Sequence, residues 1–175
     1  MGLAPGVWAV LLCSTGSIFS TAWASWRIRS LPDRVKKRLL PRQLLQLAAA
    51  DALLSVALIV YGLVQFSDFF TPTLAECHVV TLAYFWTRWW SVAVEVQIAF
   101  GMACAWQRFL PGLRLLGSVL CLSPVVGLLL GLGQLVQLPI LDPGRRGYCP
   151  FHPGWGWAQT LIFMVSLVCC SVGYG

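Results

Sequence analysis

The stretch Cys77-His-Val-Val-Thr-Leu-Ala-Tyr84-Phe-Trp-Thr-Arg88-Trp-Trp-Ser91-Val-Ala-Val-Glu95-Val-Gln-Ile-Ala-Phe-Gly-Met-Ala-Cys104-Ala-Trp106 is an apolar run that nevertheless carries Arg88 and Glu95. Read as a helix it rises ~1.5 Å per residue, ~45 Å in all, against a bilayer core of ~30 Å. Such a helix spans with some tilt. Tyr84, Arg88, Ser91 and Glu95 follow one another at spacings of four, three and four, which places them on one stripe. Ionisable groups are costly in lipid, so the stripe is expected to face other helices or a wet cavity.

Four further apolar runs surround this one, at about 6–26, 41–66, 115–136 and 154–174. The chain has 175 residues, 58% of them hydrophobic and 10% charged, with a mean hydropathy of +0.77. A soluble domain carries about 25% charged residues. The composition therefore predicts an all-α, polytopic membrane helix bundle of five transmembrane helices, with no separate soluble domain and no repeat. Ala22-Trp23-Ala24 has the form of a signal-peptidase site. No basic segment precedes the first run and Arg27 and Arg29 follow it directly, so a retained first span is expected.

The net charge of +6 is concentrated in short loops rather than in a nucleic-acid-binding face. Arg27 to Arg42 holds seven Lys/Arg and one Asp; Arg108 and Arg114 follow the third run. The other two loops, 67–76 and 137–153, hold only Arg145 and Arg146. The positive-inside rule then puts the N-terminus outside and the C-terminus in the cytoplasm, in the plasma membrane. The basic first loop is expected to lie on the cytoplasmic face, held by anionic lipid, and could also dock a cytoplasmic partner.

Asp51 falls about ten residues into the second run, ~15 Å along the helix and near mid-bilayer. A carboxylate there needs a partner, a proton or an ion. Asp51, Ser91 and Glu95 form a candidate intramembrane polar or ion site, with a purely structural polar network as the plainer alternative. Arg88, flanked by Trp86, Trp89 and Trp90, suits an anionic or aromatic ligand. Gly127-xxx-Gly131 in the fourth run would allow close helix approach, and Pro124 lies in the path of the same helix.

The seven cysteines show no metal-binding spacing, and no metal or cofactor is expected. The topology puts Cys77 and Cys149 on the same outer face, where a disulfide is chemically permitted. Two unrelated thiols, or a zinc site completed by His78 and His152, are the alternatives. Enzymatic activity is not expected. The two histidines have no nucleophile at motif spacing, and neither HExxH nor a Gly-rich phosphate loop occurs.

On three features together the chain resembles the first five helices of a seven-helix G-protein-coupled receptor. Cys77 stands at the head of the third helix with Cys149 before the fifth. Leu47-Ala-Ala-Ala-Asp51 resembles the family's Leu-Ala-x-x-Asp, 26 residues before Cys77. The start is extracellular and the first inner loop is short and basic. Gly16-Ser-Ile-Phe-Ser20 and Tyr148-Cys149 look closer to the cyclic-AMP-receptor-like branch. The family's Asp-Arg-Tyr is replaced by Ala99 to Arg108, and the helices six and seven of such a receptor are not represented. The resemblance implies a truncated receptor-like domain over 1–175 and a Cys77–Cys149 disulfide. It also implies an extracellular ligand meeting Tyr84, Arg88 and Ser91, an ion site shared by Asp51 and Ser91, and a heterotrimeric G protein as cytoplasmic partner of the full-length form. Two other functions fit the residues: a small ion or proton transporter using Asp51 and Glu95, and a non-signalling scaffold associating through the Gly127/Gly131 face.

Overall fold

The computed structural model describes residues 5–66 and 73–137, with 157, 160–162, 164, 167–168 and 171 of the C-terminal stretch. The described elements are all helical: α1 (Pro5–Arg29), the single turn α2 (Asp33–Lys36), α3 (Leu39–Phe66), α4 (Leu74–Trp106), α5 (Leu110–Val119), a 3-10 turn (Leu120–Leu122) and α6 (Ser123–Gln137). Two stretches, Leu39–Val64 and Leu110–Gln137, are long and apolar enough to cross a membrane. The described residues from 157 to 171 are helical as well, and Ile162 among them is buried with Cys77, Phe85 and Val92.

The helix bounds depart from the hydropathic runs where local chemistry sets them. α4 begins at Leu74 rather than Cys77 because Thr73 and Glu76 form a capping box. The Thr73 hydroxyl accepts from the Glu76 N–H at 3.3 Å, and the Glu76 carboxylate accepts from the Thr73 N–H at 2.7 Å. Two donors that a helix start leaves orphaned are thereby satisfied. The hydrogen bonds from the Thr73 backbone and side chain hold the Glu76 carboxyl below its usual range. The cap is therefore complete above the ordinary glutamate range and is lost as acid protonates Glu76 below its lowered value.

The other end of α4 closes in a Schellman arrangement. Arg108 takes a left-handed backbone (φ 54°), the Phe109 N–H donates to the Cys104 carbonyl at 2.8 Å and the Arg108 N–H to Ala105 at 3.1 Å. Pro111 then falls in the first turn of α5, where its missing N–H costs nothing.

Leu110–Gln137 is not one regular helix. Pro124 cannot donate to the Leu120 carbonyl four residues back. That carbonyl instead accepts from the Ser123 hydroxyl at 2.9 Å and from the Ser123 N–H that ends the 3-10 turn. The break sits where the proline requires it.

α4 is the axis of the bundle, with α3 and α6 packed along it and α1 packed on α3. Gly127 and Gly131 face α4 directly. A Cβ on Gly127 would lie 2.7 Å from the Trp90 backbone nitrogen and 2.9 Å from the Trp86 carbonyl, and one on Gly131 would lie 3.0 Å from the Trp86 nitrogen. The Gly-xxx-Gly face is thus occupied within the chain, and a scaffold role through that face loses its surface.

The outward faces are apolar. Leu12 and Phe19 on α1 are 70% and 72% exposed, Val136 on α6 80%. Apolar exposure on this scale suits hydrocarbon rather than water as the surrounding medium.

Gly127→Ala is expected to lower stability by about 1–3 kcal/mol, since the added methyl meets backbone that cannot move aside. Gly133→Ala, with nothing within 4 Å of its Cβ position, is expected to be neutral or stabilising by up to about 1 kcal/mol. Thermal unfolding of the two variants in the same detergent compares them. Equal effects would show that the glycine contact does not limit packing.

Candidate functional site

Asp51 lies midway along Leu39–Val64, and the helix brings it opposite the centre of α4. There the Ser91 hydroxyl donates to Asp51 Oδ1 at 2.7 Å. Ser91 is 1% exposed, so this is a bond made inside the bundle. On the same helix the Ser55 hydroxyl donates to the Asp51 carbonyl at 2.8 Å, a back-bond that keeps its own group satisfied in apolar surroundings. The other side of Asp51 opens on a cleft of about 320 Å³ between α1 and α3, lined also by Ser20, Thr21, Ala24 and Leu44. The hydroxyls of Ser20 and Thr21 donate back to Ser17 and Ile18 carbonyls. Their oxygens keep acceptor capacity toward the cleft.

The remaining residues of the stripe go to different neighbours. The Tyr84 ring stacks on Tyr61 of α3 with centroids 5.9 Å apart, and meets Phe85 edge-on at 5.2 Å. Arg88 is half-buried one turn from Tyr84, with no hydrogen bond or ion pair among the described residues. Glu95 is half-buried and takes part in an interaction of its own. The structure therefore joins Asp51 to Ser91 and Tyr84 to α3, and does not tie Arg88 to Asp51 or Glu95.

At the head of α4, Cys77 is fully buried and disulfide-bonded. Cys149, His152 and the loop that carries them lie outside the described residues. Cys13, Cys104 and Cys121 are free thiols. Among the described residues no group of three or more His, Cys, Asp or Glu side chains could hold a metal ion.

Charge was the wrong guide to much of the polar interior. Four uncharged contacts bind the helices together. Gln43 Nε2 of α3, 2% exposed, donates to the Gln97 carbonyl of α4 at 3.2 Å. The Ser123 hydroxyl of α6 donates to Gln97 Oε1 at 3.2 Å. Trp86 Nε1 donates to the Pro124 carbonyl at 2.8 Å, and Trp89 Nε1 to Gln134 Oε1 at 2.9 Å. The signal for these was present in the sequence: glutamines at 43, 97 and 134 inside apolar runs, where an amide must find a partner. Trp86 and Trp90, which flank Arg88 in the sequence, stack on each other with ring centroids 6.2 Å apart, and their backbone lies against Gly127 and Gly131 of α6.

No protein-family model matches the chain, and no curated protein matches it. The site is read from its own chemistry.

Ser91→Ala removes the donor to a half-buried carboxylate and is expected to cost about 1–2 kcal/mol. In an Asp51→Ala background the same change is expected to be near neutral. A double-mutant cycle on thermal or denaturant unfolding measures the coupling; additive losses would mean that the bond adds nothing.

Proposed function

We infer that the chain is a receptor-like five-helix membrane domain, related to G-protein-coupled receptors. In this reading the full-length form binds an extracellular ligand and signals to a cytoplasmic G protein. The observation that carries the reading is the Ser91–Asp51 hydrogen bond, 2.7 Å long, between the centres of α4 and α3. It couples the two residues that the receptor resemblance assigns to one ion site. The buried disulfide cysteine at the head of α4 supports the same reading. Cys149 is its proposed partner, which would draw the 137–153 loop over the outer ends of the helices.

In this arrangement five helices cross the plasma membrane with the N-terminus outside. α1, α3 and α4 supply the first three spans, α5 and α6 together the fourth, and 154–174 the fifth. A ligand enters from the side of Cys77 and reaches Tyr84, Arg88 and Ser91. Arg88 lies 11 residues below Cys77, ~17 Å along the helix. Its half-buried guanidinium, with no polar partner among the described residues, suits an anionic group on the ligand. Binding acts by favouring one packing of the helices over another, to the extent that the ligand contacts differ between the two.

The chain has no asparagine, so an introduced Asn-x-Thr acceptor is the sole N-glycosylation site in it. Acceptors on spacers before Pro5 or within 138–153 are expected to be glycosylated in cells, and acceptors within 31–38 to remain bare. The reverse pattern would overturn the orientation. Function is read by G-protein dissociation in cells expressing the full-length, seven-helix form, with aromatic carboxylates as first probes. A response lost in Arg88→Ala and altered in Asp51→Asn, at equal surface expression, is the expected result. No dissociation with any G-protein class, in a chain whose orientation is as expected, would sink the receptor reading.

A further inference from the structure

The first inner loop is more than a band of positive charge. α2 is one helical turn, and it places Asp33, Lys36 and Lys37 at positions one, four and five of that turn and its cap. Side chains three and four apart share a face. Arg42, from the first turns of α3, completes a cavity of about 510 Å³ with these three residues. The rim is held from behind: Gln43, next to Arg42, is 2% exposed and its amide is bonded to the Gln97 carbonyl of α4. The cationic cavity is thus fixed to the bundle at one side and carried on a short turn at the other.

Its chemistry is specific in two respects. Three cations converge on one concave space, more than one phosphate monoester with ≈ −1.5 to −2 charge requires. Asp33 stands among them, 88% exposed, its Oδ1 3.3 Å from the Lys36 ammonium. A carboxylate in a phosphate site repels the anion but accepts from a hydroxyl. A ligand that brings several phosphates and several hydroxyls on one compact ring satisfies both. Leu31, two residues before the turn, is exposed, and Trp23 and Trp26 stand exposed near the end of α1 with Arg27 over the Trp23 ring at 5.9 Å. Exposed tryptophans beside basic residues mark the level of a membrane interface.

We propose that Lys36, Lys37 and Arg42, with Asp33, form a binding site for the headgroup of a polyphosphorylated inositol lipid in the cytoplasmic leaflet. The proposal rests on the membrane reading above, which puts this loop at the cytoplasmic surface, level with the exposed Trp23 and Trp26, where a lipid presents its headgroup and a soluble inositol phosphate has no such anchor. Lys37 and Arg42 are exposed and hold the phosphates; Lys36 turns from Asp33 to a phosphate, and Asp33 accepts from a ring hydroxyl. The Arg fork can bind two phosphate oxygens at once, whereas the lysines act as point charges.

The full chain in phosphatidylcholine nanodiscs, titrated with dioctanoyl phosphatidylinositol bisphosphate and read by thermophoresis, tests this. Lys36→Gln/Lys37→Gln is expected to weaken binding about tenfold or more, and Arg42→Gln to act in the same direction. Arg108→Gln/Arg114→Gln, which removes equal charge from the other inner turn, is expected to change affinity less than about twofold. Equal loss in both double variants, or equal affinity for phosphatidylserine at matched charge, would reduce the site to diffuse attraction and overturn the proposal. Soluble inositol trisphosphate binding as tightly as the lipid would overturn the lipid source. Alkaline carbonate extraction of expressing membranes is the separate control: a chain released by it fails the membrane reading, whereas a retained chain without headgroup preference fails only this site.

Discussion

Backbone lies against backbone where Gly127 and Gly131 of α6 cross Trp86 and Trp90 of α4, and the rest of the bundle depends on that approach. In a medium as apolar as the side chains themselves, burial adds little between helices; close van der Waals contact and hydrogen bonds must supply the attraction. The two glycines allow the distance, and the distance allows the bonds. Only at that separation do the indoles of Trp86 and Trp89 reach the Pro124 carbonyl and the Gln134 amide on the same face. The large aromatic residues of α4 therefore act as donors across an interface that glycine made narrow.

The opposite side of α4 solves a different problem. There α3 presents Asp51, a group that costs several kcal/mol to desolvate without a partner. Ser91 satisfies one of its oxygens and the cleft toward α1 leaves the other side open to small polar species. α4 thus separates a closed, amide- and indole-bonded interface from one with a carboxylate beside a cavity. Gln43 and Gln97 link the two, since Gln97 accepts from α3 through its carbonyl and from α6 through its side chain.

Much of this was legible in the sequence, and the reasons for the rest are physical. Hydropathy located the first three long helices to within three residues, and the receptor resemblance put Asp51 and Ser91 in one site, where the two side chains are hydrogen-bonded. α4 starts three residues before the apolar run because hydropathy does not see a cap: Thr73-Leu-Ala-Glu76 is polar at both ends and reads as loop, yet its two side chains begin the helix. Charges inside apolar runs do not point to the interhelical amides, although an uncharged glutamine in such a run also requires a partner. Pro124 marked the break in the fourth run, but its extent depended on which group would take up the Leu120 carbonyl, a matter of three-dimensional geometry. The single turn α2 was invisible to periodicity, being too short to show any.

The buried positions of Leu110–Gln137 are Gly112, Leu116, Leu120, Ser123, Gly127, Gly131 and Gln134. Their spacings run four, four, three, four, four, three, an eleven-residue period repeated twice, or 3.67 residues per turn. That is close to the 3.6 of a straight helix, so this stripe follows α4 without the left-handed supercoil that a seven-residue pattern would impose. The chain here is consequently written in units of eleven. Gain or loss of one residue between Gly112 and Gly127 would swing every later contact by ~100° and turn both glycines away from α4. Gain of eleven would return them to it, one period further along.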